Sequence, residues 1–403
     1  MCGHVIFLLV VAAATYGACG AGGELAKWDP RMADSSAHVD TNGVKWIDGT
    51  RLPVEGRWTL GDCGHFYARL PDTLTTNVND GVRNMRFHTS GMKIRFSTTS
   101  RFVVIRYRSS DGDYQGSGGM SGLGRSGWDA YRFVEREGRW KFCGSSFNSA
   151  VDPADGSVRV KRIQLDGCRD CLINLPLYNG VRFLEVGIDA KASVGAPRPY
   201  ASGIDKPVVF YGTSITHGSA ASRPGMAFVN QIGRSLEVPV FNLGFSGCGI
   251  MEYEMSEVIS RIDASCYVLD CLWNMEEGEK SRHWGRNGLP NGVRSNYEPF
   301  IRNLRAKRPD VPIVMVEQCD VFCCGPSGKD LFVRSLYRKL VAEGWKNLLY
   351  LPKERMYADD FEGTIEGCHP NDCGMAQLAR AFGRAVKEAL GLQGMSFRKE
   401  ECQ

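Results

Sequence analysis

Two short stretches carry the side chains best suited to make a nucleophile and its base: Gly212-Thr-Ser-Ile-Thr216 and Thr364-Ile-Glu-Gly-Cys-His-Pro-Asn-Asp372. A serine hydroxyl is a poor nucleophile at neutral pH. It needs an imidazole to take its proton and a carboxylate to hold that imidazole in the right tautomer. Ser214 stands just past an apolar run, Val208 to Tyr211, that reads as a strand covered on both faces, and the carboxyl end of such a strand is where open α/β sheets keep their ligand crevices. Of the seven histidines, His369 is the best base, because its Gly- and Pro-containing loop directly precedes the last amphipathic helix. Glu366, three residues earlier, can accept the other ring proton across the Gly-Cys turn. The plainer readings are that Ser214 caps a helix and that His369 is a surface-loop residue beside an Asn371 or Asp372 cap.

Acyl transfer also needs donors for a developing oxyanion. Asn242-Leu-Gly-Phe-Ser-Gly247 and Asp270-Cys-Leu-Trp-Asn274 follow two further strand candidates, so the Gly247 N–H and the Asn274 amide converge on the same crevice. Glycine at a βα turn is more often conformational, and asparagine there more often caps. Trp273, and Trp284 in the loop 276–296, are candidates to stack on a sugar ring, although tryptophans more often fill a hydrophobic gap. His217 follows the serine too closely to turn back on it and is expected at the rim of the site.

Two dissimilar regions must position these residues. From about 24 to 195 the pattern is all-β: Met92, Ile94 and Phe96 alternate with Lys93 and Arg95, Val103, Ile105 and Tyr107 keep the same period, and strands are readable at Val158 to Leu165, Leu172 to Leu175 and Val181 to Ile188. Glycine-rich turns such as Gly116-Ser-Gly-Gly119 separate them, which predicts a sandwich or jelly roll. A Pro- and Gly-rich linker over 196–206 leads into 207–392. There, strands at Val208, Val238, Cys266, Ile313 and Leu348 alternate with helical segments, and Met375, Leu378, Phe382 and Val386 share one face of the last helix. That alternation predicts a parallel sheet with helices on both sides.

Composition narrows the class. With 403 residues, 43% hydrophobic and 23% charged, the chain is long enough for two domains, and a formal charge of +4 supplies no basic stripe for nucleic acid. Val5 to Ala14, followed by small residues around Ala18 to Gly20, reads as an export signal over 1–22, so an exported location is expected: periplasmic, cell-surface or secreted. Cys19 offers an open possibility of lipid anchoring, and no later segment approaches the length of a transmembrane span. Among fifteen cysteines, Cys168-Arg-Asp-Cys171 resembles half of a zinc site, but adjacent Cys323 and Cys324 make a poor second pair, so buried or locally paired thiols are the favoured reading. The chain has no Gly-x-Ser-x-Gly elbow, His-Glu-x-x-His helix or P-loop, and no cofactor is expected.

Taken together and in order, the Ser214, Gly247, Asn274 and His369 blocks resemble the four spaced blocks of the SGNH (GDSL-like) hydrolase superfamily over about 206 to 392. The resemblance implies a flavodoxin-like three-layer domain in which Ser214 is nucleophile, His369 base, and Gly247 and Asn274 join the Ser214 N–H in an oxyanion hole. Gly127-Trp-Asp-Ala-Tyr131 resembles the Gly-x-Asp-Leu-Tyr motif of the β-domain preceding the hydrolase in one bacterial subgroup, with Ala130 in place of leucine. That subgroup is associated with polysaccharide deacetylation, which implies an acylated carbohydrate as substrate. A short-chain lipid or aryl ester is the alternative, and a degenerate, non-catalytic glycan-binding protein the alternative of another class. Two positions depart from the pattern. Glu366 stands where aspartate is usual, a change of reach of about 1.5 Å, one C–C bond, with Asp360 or Asp372 as substitutes. Trp273 stands where proline is frequent.

Overall fold

The computed structural model describes residues 37–60, 65–109, 119–147, 157–159, 161–167, 169–278, 289–319, 325–357 and 362–393. The expected export segment with Cys19, and Cys168, Trp284, Cys323, Cys324 and Asp360, lie outside the described residues.

The amino-terminal half is a sandwich of two antiparallel sheets. One orders β1 (His38–Val39), β2 (Val44–Asp48), β11 (Val181–Asp189), β5 (Phe102–Ser109) and β8 (Val158–Arg159), with β9 (Ile163–Gln164) also on β5. The other orders β12 (Val194–Gly195), β4 (Lys93–Thr98), β10 (Asp170–Asn174), β6 (Trp128–Val134) and β7 (Arg139–Ser146), with β3 (Val54–Glu55) on β4. Ile94, Phe96, Val103, Ile105, Ile173, Val186 and Ile188 fill the space between them. The stretch expected as one strand from Val158 to Leu165 is two, pairing with opposite ends of β5.

The polar alternates of β4 do not face water. Lys93 and Arg95 are each 2% exposed, because the outer face of their sheet packs on the carboxyl-terminal half. Arg95 pairs with Glu55 at 3.0 Å and donates to the Arg198 carbonyl, and Lys93 lies 3.7 Å from Glu55. Burying a cation costs heavily unless a carboxylate or several carbonyl acceptors meet it.

The carboxyl-terminal half is built on a parallel sheet ordered β14 (Val240–Gly244), β13 (Val208–Gly212), β15 (Cys266–Asp270), β16 (Ile313–Val316) and β17 (Leu348–Leu351). Two short helices, α1 (Asp80–Met85) and α2 (Gly122–Ser126), belong to the first half; α3 (Ser214–His217), α4 (Phe228–Leu236), α5 (Tyr253–Ile259), α6 (Val293–Lys307), α7 (Gly328–Ala342) and α8 (Asp372–Ala389) follow in the second. Strand β13 shows why its apolar residues run without a break. Val209 and Tyr211 pack toward α5 and α6, while Val208 and Phe210 pack toward α4 and α8. The result is a three-layer α/β domain. The chain leaves β13 for β14 on one side and returns to β15 on the other, so the carboxyl end of β13 is the point where the sheet order reverses and a crevice opens.

The halves are joined by buried polar contacts. Arg69 donates to the carbonyls of Asn242, Gly244 and Met85 and lies over the Phe245 ring. Asp129, the acid of the Gly127–Tyr131 motif, accepts from Arg223 at 2.8 Å, from the Gly225 N–H at 2.7 Å and from Asn174 at 2.7 Å. A Cβ on Gly225 would come within 2.7 Å of both that carboxylate and the Tyr131 hydroxyl, so only glycine lets the two backbones close. The linker is tied down as well: Arg198 pairs with Glu237, and Tyr200 donates to Glu55.

Candidate active site

Ser214 opens α3 immediately beyond β13, with Thr213 as the cap accepting from the Ile215 N–H. The helix is only one turn long and stops at Gly218, whose φ of +102° suits glycine. The Ser214 side is enclosed: the residue is 4% exposed, the Tyr178 hydroxyl donates to its carbonyl at 3.3 Å, and Thr216 donates to Asp270 at 2.6 Å. Burial pushes the Asp270 carboxyl up to about 7.

The imidazole arrives from the other side, on the loop between β17 and α8. Thr364 and Pro370 pair across this loop, the Ile365 N–H donates to the His369 carbonyl, and Gly367 turns at φ +87°. The tight turn brings the Glu366 carboxylate back onto its own loop, where Oε1 accepts from the His369 backbone N–H at 2.8 Å and meets Nδ1 at 2.5 Å. On the far edge of the ring, Nε2 lies 2.9 Å from Ser214 Oγ, although 155 positions separate the residues. With Glu366 able only to accept, the shared proton belongs on Nδ1, which leaves the Nε2 lone pair facing the hydroxyl.

The extra methylene of glutamate therefore does not prevent contact. Asp372 is engaged elsewhere, accepting from the backbone and side chain of Ser222.

Gly247 has φ +70° in the turn after β14, a conformation that favours glycine. Asn274, 7% exposed at the end of a 3₁₀ turn (Leu272–Asn274), directs its amide into the same turn, donating to Gly249 at 3.2 Å and Phe245 at 3.4 Å. Its own carbonyl is held by Asn291 at 3.0 Å. Trp273, beside it, is half-buried.

His217 is a correction. Expected at the rim, it is fully buried between the halves, stacked on Tyr178 with ring centroids 3.9 Å apart, and its Nε2 lies 3.0 Å from the Leu177 carbonyl and 3.3 Å from His88 Nδ1. Burial pushes His217 well below the usual imidazole range and His88 down to about 3, so both are neutral spacers. The one-turn helix rotates the His217 ring away from the serine and into the β half, which the sequence alone does not disclose.

Comparison with known proteins bears on the family and the fold. Residues 205–387 match the GDSL-like lipase/acylhydrolase family, and residues 44–194 match the N-terminus of SGNH-hydrolase-type esterases. The chain belongs to the SGNH (GDSL-like) hydrolase superfamily. As a member it is an ester hydrolase with a preceding β-domain. A structure from Bacteroides ovatus described as a GDSL-like lipase is 25% identical, covers 86% of this chain and 98% of its own, and superposes with a TM-score of 0.71. The salicylyl-acyltransferase SsfX3 of a tetracycline biosynthetic pathway shares the fold at 18% identity and TM-score 0.65, with 89% and 100% covered. A family two carbohydrate esterase from Cellvibrio japonicus does so at 12% and 0.52, with 86% and 98% covered. No curated protein sequence matches the chain.

In this SGNH hydrolase the Gly127–Tyr131 motif is a junction, since Asp129 and Tyr131 both contact Arg223. What sequence reading missed is how much of the serine's surroundings the β half supplies: Tyr178 on its carbonyl, and Ser90 donating to the His217 carbonyl at 2.7 Å. Neither lies in a motif, so no local signal marks them. Among the described residues, no helix is long and apolar enough to cross a membrane.

Proposed function

We propose that this hydrolase removes acyl groups, most simply O-acetyl, from polysaccharide or oligosaccharide substrates through a Ser214–His369–Glu366 triad. The observation that carries the reading is the unbroken relay from Ser214 Oγ to His369 Nε2, and from Nδ1 to Glu366. Ser214 attacks the ester carbonyl as its proton passes to Nε2, and the ring's gain of charge is balanced by Glu366. The oxyanion is met by the N–H groups of Ser214 and Gly247 and by the Asn274 amide, whose present bonds of 3.2 and 3.4 Å are long enough to exchange for a shorter one. The imidazolium then protonates the sugar oxygen as its bond to the acyl carbon breaks, so the sugar leaves as the free hydroxyl. Water, activated by the same nitrogen, releases acetate from the acyl-enzyme and regenerates the serine.

The carbohydrate assignment rests on the β-domain motif and on the shared fold with carbohydrate esterases; half-buried Trp273 beside Asn274 is the candidate sugar-stacking residue. The apolar amino-terminal run supports export to where such polymers are met. The intact relay argues against a purely glycan-binding role. The test is hydrolysis of p-nitrophenyl acetate by wild type and Ser214→Ala, followed by acetate release from acetylated glycans. Turnover of the small ester with no acetate released from any glycan, and faster turnover of longer acyl chains, would move the assignment to lipid or aryl esters. Glycan binding with no ester turnover would exclude the catalytic reading.

A further inference from the structure

The catalytic loop holds a third side chain that the triad does not use. Cys368 lies between Glu366 and His369, is 8% exposed, and carries a thiol. Its Sγ, a Glu366 carboxylate oxygen and a His369 ring nitrogen all lie within 4.8 Å of one another. We propose that these three form a site for a thiophilic divalent cation of the zinc type, and that its occupation switches the enzyme off.

The donor set argues for the metal. One thiolate, one imidazole and one carboxylate is a combination that suits Zn²⁺ and Co²⁺ and not the oxygen-seeking Mg²⁺ or Ca²⁺. Donor atoms around a tetrahedral zinc stand roughly 3.3–3.6 Å apart, given bonds of about 2.0 Å to nitrogen and oxygen and about 2.3 Å to sulfur. The Glu366–His369 contact must open by about 1 Å from its present 2.5 Å, and the thiol, within 4.8 Å of both partners, has at most about 1.5 Å to close. The Glu366 side chain is 45% exposed, so it can make that movement without disturbing the core, and solvent reaches the site to complete the coordination with water.

Inhibition follows from proton bookkeeping. The nitrogen nearest Glu366 is Nδ1, and a metal there needs its lone pair. The imidazole proton must then move to Nε2, while the thiol releases one proton to solvent as the metal–sulfur bond forms. Nε2 so protonated can donate to Ser214 Oγ but can no longer accept from it. The general base is lost with the serine untouched, and a chelator that removes the metal restores it.

The experiment titrates the full chain with Co²⁺ and follows the thiolate-to-cobalt charge-transfer band in the near ultraviolet. This readout needs no turnover and so stands whether or not the esterase reading holds. Wild type is expected to show the band at one equivalent, and Cys368→Ser, checked for folding by circular dichroism, to lose it. In parallel, Zn²⁺ is expected to inhibit p-nitrophenyl acetate hydrolysis reversibly to EDTA. Cys368→Ser, measured against its own metal-free rate, should then need at least about tenfold more Zn²⁺, since even an outer-shell partner is worth that much. Absence of the band in wild type, or equal zinc sensitivity in Cys368→Ser, would overturn the site.

Discussion

The nucleophile and the base reach one hydrogen bond from opposite surroundings. Ser214 sits in a closed structure of buried polar contacts drawn from both halves of the molecule, with Tyr178, Thr216, Asp270 and the stacked His217 around it. His369 rides an exposed loop whose geometry is set almost entirely by itself, through Glu366, Gly367 and the Thr364–Pro370 pairing. The difference teaches that catalytic order here is made in two ways. One side is fixed by the whole fold, and in particular by the β half. The other is fixed largely within one short stretch, Glu362 to Asn371, and its carboxylate remains open to solvent.

If the serine side depends on the β half, damage at the junction should cost the whole protein. Removing the buried carboxylate in Asp129→Ala leaves Arg223 without its ion-pair partner, with only the neutral Tyr131 hydroxyl in its place, and should lower unfolding free energy by about 3–5 kcal/mol, read by urea denaturation. A loss below about 1 kcal/mol would mean that the halves stand independently.

The buried histidines make a smaller, pH-dependent version of the same test. His88 is held near 3 in the fold against 6.5 when unfolded, so it takes up a proton on unfolding at acid pH. Its contribution is present above about 6.5 and is lost as pH falls toward 3. From pH 7 to pH 5 this amounts to about 2 kcal/mol, and His88→Gln should remove that share of the slope while leaving the part that His217 contributes. An unchanged slope in the variant would remove His88 from the account.

On the loop side the expected effects are local. Glu366→Gln keeps an acceptor oxygen but loses the charge that balances the imidazolium, so kcat should fall more than tenfold, at least about 1.4 kcal/mol, with unfolding free energy nearly unchanged. Wild-type turnover in this variant would take Glu366 out of the mechanism. A large stability loss would erase the contrast between the two sides.

The same contrast explains what could be read in advance. Strands with unbroken apolar runs and the helix faces of the second half were legible because burial on both sides writes itself into local sequence, as Val208 to Tyr211 shows. The His369 loop was legible because its contacts span only a few positions. His217 was misplaced because a single turn of helix sent its ring into the other half, among residues 88 and 177–178. The alternation of Lys93 and Arg95 with apolar residues marks a strand but not their burial: alternation reports which residues share a side of a strand, not what covers that side. Arg69, spanning to Asn242 and Gly244, leaves no local trace at all.

The central claim is that His369, from its exposed loop, activates the enclosed Ser214. Reaction with a fluorophosphonate, located by mass spectrometry of the digested protein, tests it most directly. The account predicts a single adduct on the peptide carrying Ser214, absent in Ser214→Ala and slowed by at least about a hundredfold in His369→Ala, the low end of what a positioned base contributes. An adduct elsewhere, or labelling of Ser214 at an undiminished rate without the imidazole, would contradict it.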